Sequence, residues 1–107
     1  MVDLSVRKGK LSLKNPIMTA SGTFGYADEF EDFIDVSRLG AVVTKAISLN
    51  HRPGNPWNRV IEVTSGMINS IGLENVGIEK FVSEKLPVLR KKNIEFVVNL
   101  AGSGMDE

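Results

Sequence analysis

Apolar residues recur at every second position near the start of the chain, at Val2, Leu4 and Val6 and again at Leu11 and Leu13, and the break at residues 7–10 contains Gly9. Period two is the signature of extended chain, and a glycine at the break predicts a short β-hairpin. The pattern then changes. Ile17, Met18, Thr19 and Ala20 form a brief run that stops at the small, polar stretch 21–25, which predicts a buried strand followed by a loop. In residues 27–35, Phe30, Phe33 and Ile34 fall on one face at helical spacing, and Asp28 and Glu29 occupy the first turn, where carboxylates favour the helix dipole; a helix is expected here. Ala41, Val42, Val43 and Thr44 are apolar or β-branched on both faces, the pattern of a strand inside a parallel sheet, and Lys45 ends it.

Residues 46–68 hold no long periodic segment. Val60, Glu62 and Thr64 alternate there with Ile61, Val63 and Ser65, which predicts a small surface hairpin inside a long connection. Helical spacing resumes with Ile78, Phe81, Val82, Lys85, Leu86 and Leu89 on one face, although Pro87 must kink this helix or begin a second one. Residues 95–100 predict another buried strand. The order hairpin, strand, helix, strand, long loop, helix, strand implies an α/β fold around a parallel sheet. Three parallel strands with two helices leave an open sheet edge, so residues 1–107 are expected to form part of a larger unit.

Composition narrows the classes of function. Thirteen basic residues balance thirteen acidic ones, giving no electrostatic ground for a nucleic acid or an anionic membrane as partner. The first stretch lacks the continuous apolar run of a secretory signal or membrane span, so a cytoplasmic location is expected. The chain has no cysteine and one histidine, His51, so neither disulfides nor a bound metal is expected.

What the predicted strands present at their C-terminal ends is more telling: Ser21 and Gly22 after the first, Lys45 after the second, Asn99 after the third. In a (β/α)₈ barrel that end carries the active site. Plainer readings exist for each group. A lysine after a strand is commonly a solvated loop residue, Asn69 and Asn99 could be turn formers, and Gly22, Gly25, Gly66 and Gly72 could serve only positive φ. His51 and Trp57 read as loop residues without catalytic roles, and Met67 as loop packing. No dinucleotide fingerprint or phosphate-binding loop occurs.

Five stretches in order carry a family likeness: NPIMTASGTFGYADEF at 15–30, GAVVTKAI at 40–47, RPGNPWNR at 52–59, GMINSIGLENVG at 66–77 and FVVNLAG at 96–102. They resemble the dihydroorotate dehydrogenases, and the wording of the first and fourth is most similar to the class 1B catalytic subunits. The resemblance implies that residues 1–107 are the N-terminal portion of a (β/α)₈ TIM barrel preceded by a β-hairpin, binding FMN and oxidising dihydroorotate to orotate in pyrimidine synthesis. It places Ala20, Ser21, Gly22, Lys45, Ala46 and Asn99 against the flavin. It gives the pyrimidine Lys45 and the run Asn69, Ser70, Ile71, Gly72 and Leu73, with Asn69 on its polar edge and the backbone near Gly72 and Leu73 at its carboxylate. The class 1B pattern further implies a homodimer and a partner subunit bearing FAD and an iron–sulfur cluster. The class also implies a cysteine base; with none in this sequence, that base and the flavin phosphate site are expected beyond Glu107, leaving the isolated segment inactive. Asn58 departs from the family, where proline commonly precedes the arginine, and this is expected to alter loop stiffness more than chemistry.

Two other functions fit the same residues. A related flavin enzyme acting on another dihydropyrimidine would differ in the substrate oxidised, and a non-catalytic partial-barrel folding or binding unit would be colourless when purified.

Overall fold

The computed structural model describes residues 2–107. β1 (Val6–Lys8) and β2 (Leu11–Leu13) pair antiparallel with Lys8 opposite Leu11, so the predicted hairpin forms around a Gly9–Lys10 turn. Leu13 is its buried residue.

The stretch 17–20 departs from its expected form. It makes a single parallel bridge, Met18 to Ala41, and both Ile17 and Met18 are exposed. The Ile17 carbonyl accepts from Gly40 N–H at 2.8 Å, but two residues on the ladder is continued by a side chain: the Thr19 hydroxyl accepts from Val43 N–H at 2.9 Å. Side-chain bonding satisfies the neighbour's backbone while ending the regular ladder. Gly40 makes the approach possible, because a Cβ there would lie 2.0 Å from the Asn15 carbonyl oxygen.

The helix expected over 27–35 is replaced by two 3₁₀ turns, Asp28–Phe30 and Val36–Arg38. Three features account for this. Ala27 precedes the first turn at a φ of 74°, Phe30 stacks on Phe24 with ring centroids 4.6 Å apart, and Asp28 is drawn to Lys85 of a distant helix. Phe33, placed on the buried face by the helical reading, is exposed. The second turn is capped by Asp35, whose carboxylate accepts from Ser37 N–H at 3.0 Å.

β3 (Ala41–Val43) forms where predicted and pairs in parallel with the last strand. β4 (Val60–Val63) and β5 (Gly66–Asn69) make the expected surface hairpin, paired from Val60–Asn69 to Val63–Gly66, and Met67 on it is exposed and does not fill a gap. Helix α1 (Ile78–Lys80), a π turn (Phe81–Lys85) and α2 (Leu86–Lys91) then run end to end. Pro87 explains the sequence of turns. It cannot donate, and its ring would strike the carbonyl four residues back in an unbroken α-helix, so it sits in the first turn of α2 behind a widened turn. The inserted residue rotates Val82 off the buried face expected for it, leaving it exposed. β6 (Glu95–Val97) completes the order.

Tyr26, Ala27, Val36, Val42, Ile47, Phe81 and Leu89 form one buried cluster between β3 and the helix. Phe81 and Leu89, almost wholly removed from water, each contribute roughly 2–3 kcal/mol of transfer free energy. No helix among the described residues is long and apolar enough to cross a membrane.

One ion pair ties the first loop to the helix. Lys85 Nζ lies 2.6 Å from Asp28 Oδ2 and 5.5 Å from the centre of the Tyr26 ring. Burial alone would raise the Asp28 carboxyl, but its neighbours, among them the Lys85 ammonium that donates to it, outweigh burial and hold the group below its ordinary 3.8. The Asp28 contact raises Lys85 above its ordinary 10.5. Asp28, with its lowered value, contributes stability above pH 3.8 that is lost as pH falls through its folded value. Lys85, with its raised value, contributes stability below pH 10.5 that is lost as pH rises through its folded value. Asp28 Oδ1 is buried without a partner, so a missing counter-ion is felt more than at a surface pair. Lys85→Met, which keeps the stem against Tyr26, is expected to destabilise the fold by roughly 1–2 kcal/mol at neutral pH, between the surface and buried extremes. Urea unfolding across pH checks it, and the deficit should shrink below pH 3.8 and above 10.5.

Candidate functional site

Beyond Val43 and Val97 the two parallel strands stay joined by an irregular ladder. Thr44 N–H donates to the Val97 carbonyl at 2.9 Å, Asn99 N–H donates to Thr44 Oγ1 at 3.2 Å, and Ile47 N–H donates to the Asn99 carbonyl at 2.9 Å. This brings Lys45 and Asn99 to one edge. Lys45 N–H in turn donates to the Gly25 carbonyl at 2.9 Å, which fastens the loop after the first parallel segment beside them.

A cavity of about 350 Å³ opens at that edge. The loop at its near side supplies Ser21, Gly22 and Thr23, β3's extension supplies Lys45 and Ala46, and the strand beyond supplies Asn99. The long connection supplies Asn69, Ile71, Leu73 and Glu74. Eight residues expected at a site on resemblance therefore converge here: Ser21, Gly22, Lys45, Ala46, Asn69, Ile71, Leu73 and Asn99. Three others lie off the lining. The Ala20 carbonyl accepts from the Thr23 hydroxyl at 3.1 Å, the Ser70 hydroxyl is engaged by Asn55 Nδ2 at 2.8 Å, and Gly72, at a φ of 80°, backs onto Asn55. Of the glycines considered for positive φ, Gly22, Gly25 and Gly72 adopt it.

Thr23 and Glu74 were not anticipated. Thr23 follows directly on Ser21 and Gly22, so the loop's compactness was the available signal. Glu74 carried none, because its role depends on meeting Lys45 and Arg59 from other parts of the chain. Its Oε2 lies 3.8 Å from Lys45 Nζ and accepts from Arg59 Nη1. Arg59 is nearly buried, donates from Nη2 to the Pro53 carbonyl at 3.2 Å, and stacks 4.7 Å from the centre of the exposed Trp57 ring. The Arg59 hydrogen bond, with Lys45 adding to it, holds the Glu74 carboxyl below its ordinary 4.5. Glu74 is thus charged at neutral pH, and the three groups together carry one net positive charge. The Trp57–Asn58 peptide between them and the loop is cis.

The connection's position rests on Asn75, a buried amide with every polar atom used. Its Oδ1 accepts from Ser48 N–H at 3.1 Å and Gly77 N–H at 2.9 Å, and its Nδ2 donates to Ser48 Oγ and to the Leu73 carbonyl, each at 2.9 Å. Its backbone pairs both ways with Arg52 at 3.0 Å. His51 beside it is exposed. Among the described residues no group of three or more His, Cys, Asp or Glu could hold a metal ion.

The donor set suits a planar, polar heterocycle. Two neutral amides and a hydroxyl give directional bonds without charge, Lys45 gives a cation, and Ile71 and Leu73 give apolar contact, the usual composition of a small-molecule site. A Cβ at Gly22 would meet nothing within 4 Å, so the cavity wall is open there. A flavin ring fits these groups.

The fold and site define an α/β unit with a ligand cavity built at the C-terminal ends of parallel strands. The chain belongs to the dihydroorotate dehydrogenase family, whose model matches residues 3–107. It is 50% identical over 105 residues to the catalytic subunit of dihydroorotate dehydrogenase B (NAD(+)) from Geotalea uraniireducens, a match covering 98% of this chain and 34% of that protein. The subunit of the same name from Pelobacter propionicus is 52% identical over the same shares, and that from Bacteroides thetaiotaomicron is 47% identical over all 107 residues and 35% of its length. The chain spans about a third of the length of these curated relatives.

Replacing Asn75 with alanine is expected to leave Ser48 N–H, Gly77 N–H and the Leu73 carbonyl without their partner, costing about 2–4 kcal/mol. Urea unfolding measures the loss, and limited proteolysis should show new cleavage in residues 70–76. Unchanged stability would mean that the loop is held elsewhere.

Proposed function

We propose that the protein carrying this segment is a cytoplasmic dihydroorotate dehydrogenase that uses FMN to oxidise dihydroorotate to orotate in pyrimidine synthesis. In this reading, residues 1–107 are the hairpin, first strands and first helices of a (β/α)₈ barrel. The observation that carries it is the meeting of Ser21, Gly22, Lys45, Asn69 and Asn99 from four separate stretches around one cavity at the strand ends, where barrels of this class place their chemistry.

The bound flavin would supply the acceptor for the hydride lost by one ring carbon of the substrate as a proton leaves its neighbour. This chain's residues would bind and orient. Ser21, Gly22, Ala46 and Asn99 line the side assigned to the flavin, and Ala20 directly precedes Ser21 and Gly22 in their loop. Asn69, Ile71 and Leu73 line the side assigned to the pyrimidine, with Ser70 and Gly72 shaping the loop from behind. Lys45 lies between the two and would stabilise negative charge that develops on the ring system during transfer, as a fixed cation in a site poor in water. The proton acceptor is assigned to the remainder of the parent protein, since this sequence has no cysteine. The names of the relatives, each a catalytic subunit, support an electron-transfer partner subunit, which we assign FAD and an iron–sulfur cluster, and we include a homodimer in the proposal.

Lys45→Ala in the full-length protein is expected to slow flavin reduction by dihydroorotate at least about tenfold, equivalent to about 1.4 kcal/mol. Anaerobic rapid-mixing absorbance reads it, and an unchanged rate at full flavin occupancy removes Lys45 from the mechanism. Asn69→Ala should keep FMN and lose orotate affinity about tenfold or more as its partner group is left unpaired. Loss of flavin with unchanged orotate affinity would reverse that assignment. Residues 1–107 by themselves, with Ile17, Met18, Val97 and Leu100 exposed along the strands, are expected to bind FMN weakly and to leave dihydroorotate unoxidised. Flavin fluorescence titration tests this, and stoichiometric micromolar binding with substrate-dependent bleaching would overturn it.

A further inference from the structure

The cavity's lysine is not free. Glu74 Oε2 is shared by two cations, Lys45 Nζ at 3.8 Å and Arg59 Nη1 in direct hydrogen-bond contact. A carboxylate beside a cation meant to meet developing negative charge would by itself cancel that cation. Here Arg59 offsets it. The guanidinium is held by two further contacts, its hydrogen bond to the Pro53 carbonyl and its stacking on Trp57, while the Arg59 backbone is fixed by the Ser70 N–H that donates to its carbonyl at 2.8 Å. The Lys45 side chain by contrast is about a quarter exposed, and among the described residues Glu74 is the one charged group its ammonium pairs with.

We propose that Glu74, fixed by Arg59, is a positioning residue that holds the Lys45 ammonium at the mouth of the cavity, with Arg59 preserving the net positive charge there. The inference rests on the assignment of Lys45 as the charged group of the site. Glu74 acts through Lys45 and needs no contact with substrate or flavin. The two partners make opposite contributions: without Glu74, Lys45 faces an uncompensated guanidinium and loses its anchor, whereas without Arg59 the carboxylate is left to Lys45 alone and neutralises it.

That opposition gives the test. In the full-length protein without pyrimidine ligand, acetylation of Lys45 by an N-hydroxysuccinimide ester is followed by mass spectrometry, with exposed Lys10 as internal standard. Glu74→Gln should raise Lys45 modification about threefold, the scale of a part-exposed ion pair, and Arg59→Met should lower it. General loosening of the loop would raise both, and that result, or no change in either variant, overturns the clamp. Thermal unfolding of each variant separates loosening from loss of charge. In steady-state assays, Glu74→Gln should reduce kcat at least about fivefold with KM changed less than about twofold, because the interaction lost belongs to the transition state. Glu74→Asp should recover part of the rate. Opposite labelling shifts with an unchanged reduction rate would support the clamp and count instead against the chemistry assigned to Lys45.

Discussion

The parallel register between Ala41–Val43 and Glu95–Val97 is the constraint on which the rest depends. Parallel strands point their C-terminal ends the same way, so fixing Val42 opposite Phe96 also fixes Lys45 and Asn99 as neighbours, without any contact between their side chains being required. Thr44 carries the register beyond the regular ladder, using its backbone toward Val97 and its hydroxyl toward Asn99. A one-residue slip would turn Val42 out of the core and exchange the faces on which the polar groups stand. The cluster of Val42, Ile47, Phe81 and Leu89, none of which lines the cavity, therefore holds the site's geometry through the strands.

The connection from Asn50 to Asn75 is held differently. It has no periodic burial, and its hairpin is exposed along both strands. Individual polar contacts fix it: Asn75 to Ser48, Arg52 to Asn75, Asn55 to Ser70, Arg59 to Glu74. Each is worth only about 1 kcal/mol net, yet each is costly to leave unmade once the groups are removed from water. A loop anchored this way keeps its shape while presenting most of its backbone to the cavity and to solvent. That balance suits a wall that must accept a ligand.

What could be read from the sequence follows from this division. Where burial is periodic, the pattern of residues is the structure: Ala41 to Thr44 read as an inner strand because both faces are covered, and Phe81 and Leu89 read as core because the helix repeats them at its own spacing. The region 27–35 misled because Phe30, Phe33 and Ile34 have helical spacing, while the forces that win there join residues far apart, Asp28 to Lys85 and Phe30 to Phe24. Residues 17–20 kept their parallel direction but not their ladder, since a threonine hydroxyl can replace a backbone partner and nothing in the spacing shows that it does. At the cavity, the strand-end positions Ser21, Lys45 and Asn99 were legible from topology alone. Glu74 and Asn75 were not, because an acidic and an amide residue in a loop acquire roles only from the groups that reach them.

Charge follows the same logic on a smaller scale. A chain with equal numbers of acidic and basic residues has no field of its own to direct an anion. Charge at the cavity is therefore local: Glu74 lies between Lys45 and Arg59, and the three groups leave one unit of positive charge there. The arrangement also limits what the site can tolerate. Removing any one of Lys45, Arg59 or Glu74 changes the local charge by a whole unit at the cavity edge. Changes to Ile71 or Leu73 would alter shape alone. The cavity's electrostatic and steric properties are thus carried by different residues, separable by substitution even where, as at Leu73 and Glu74, they are adjacent in sequence.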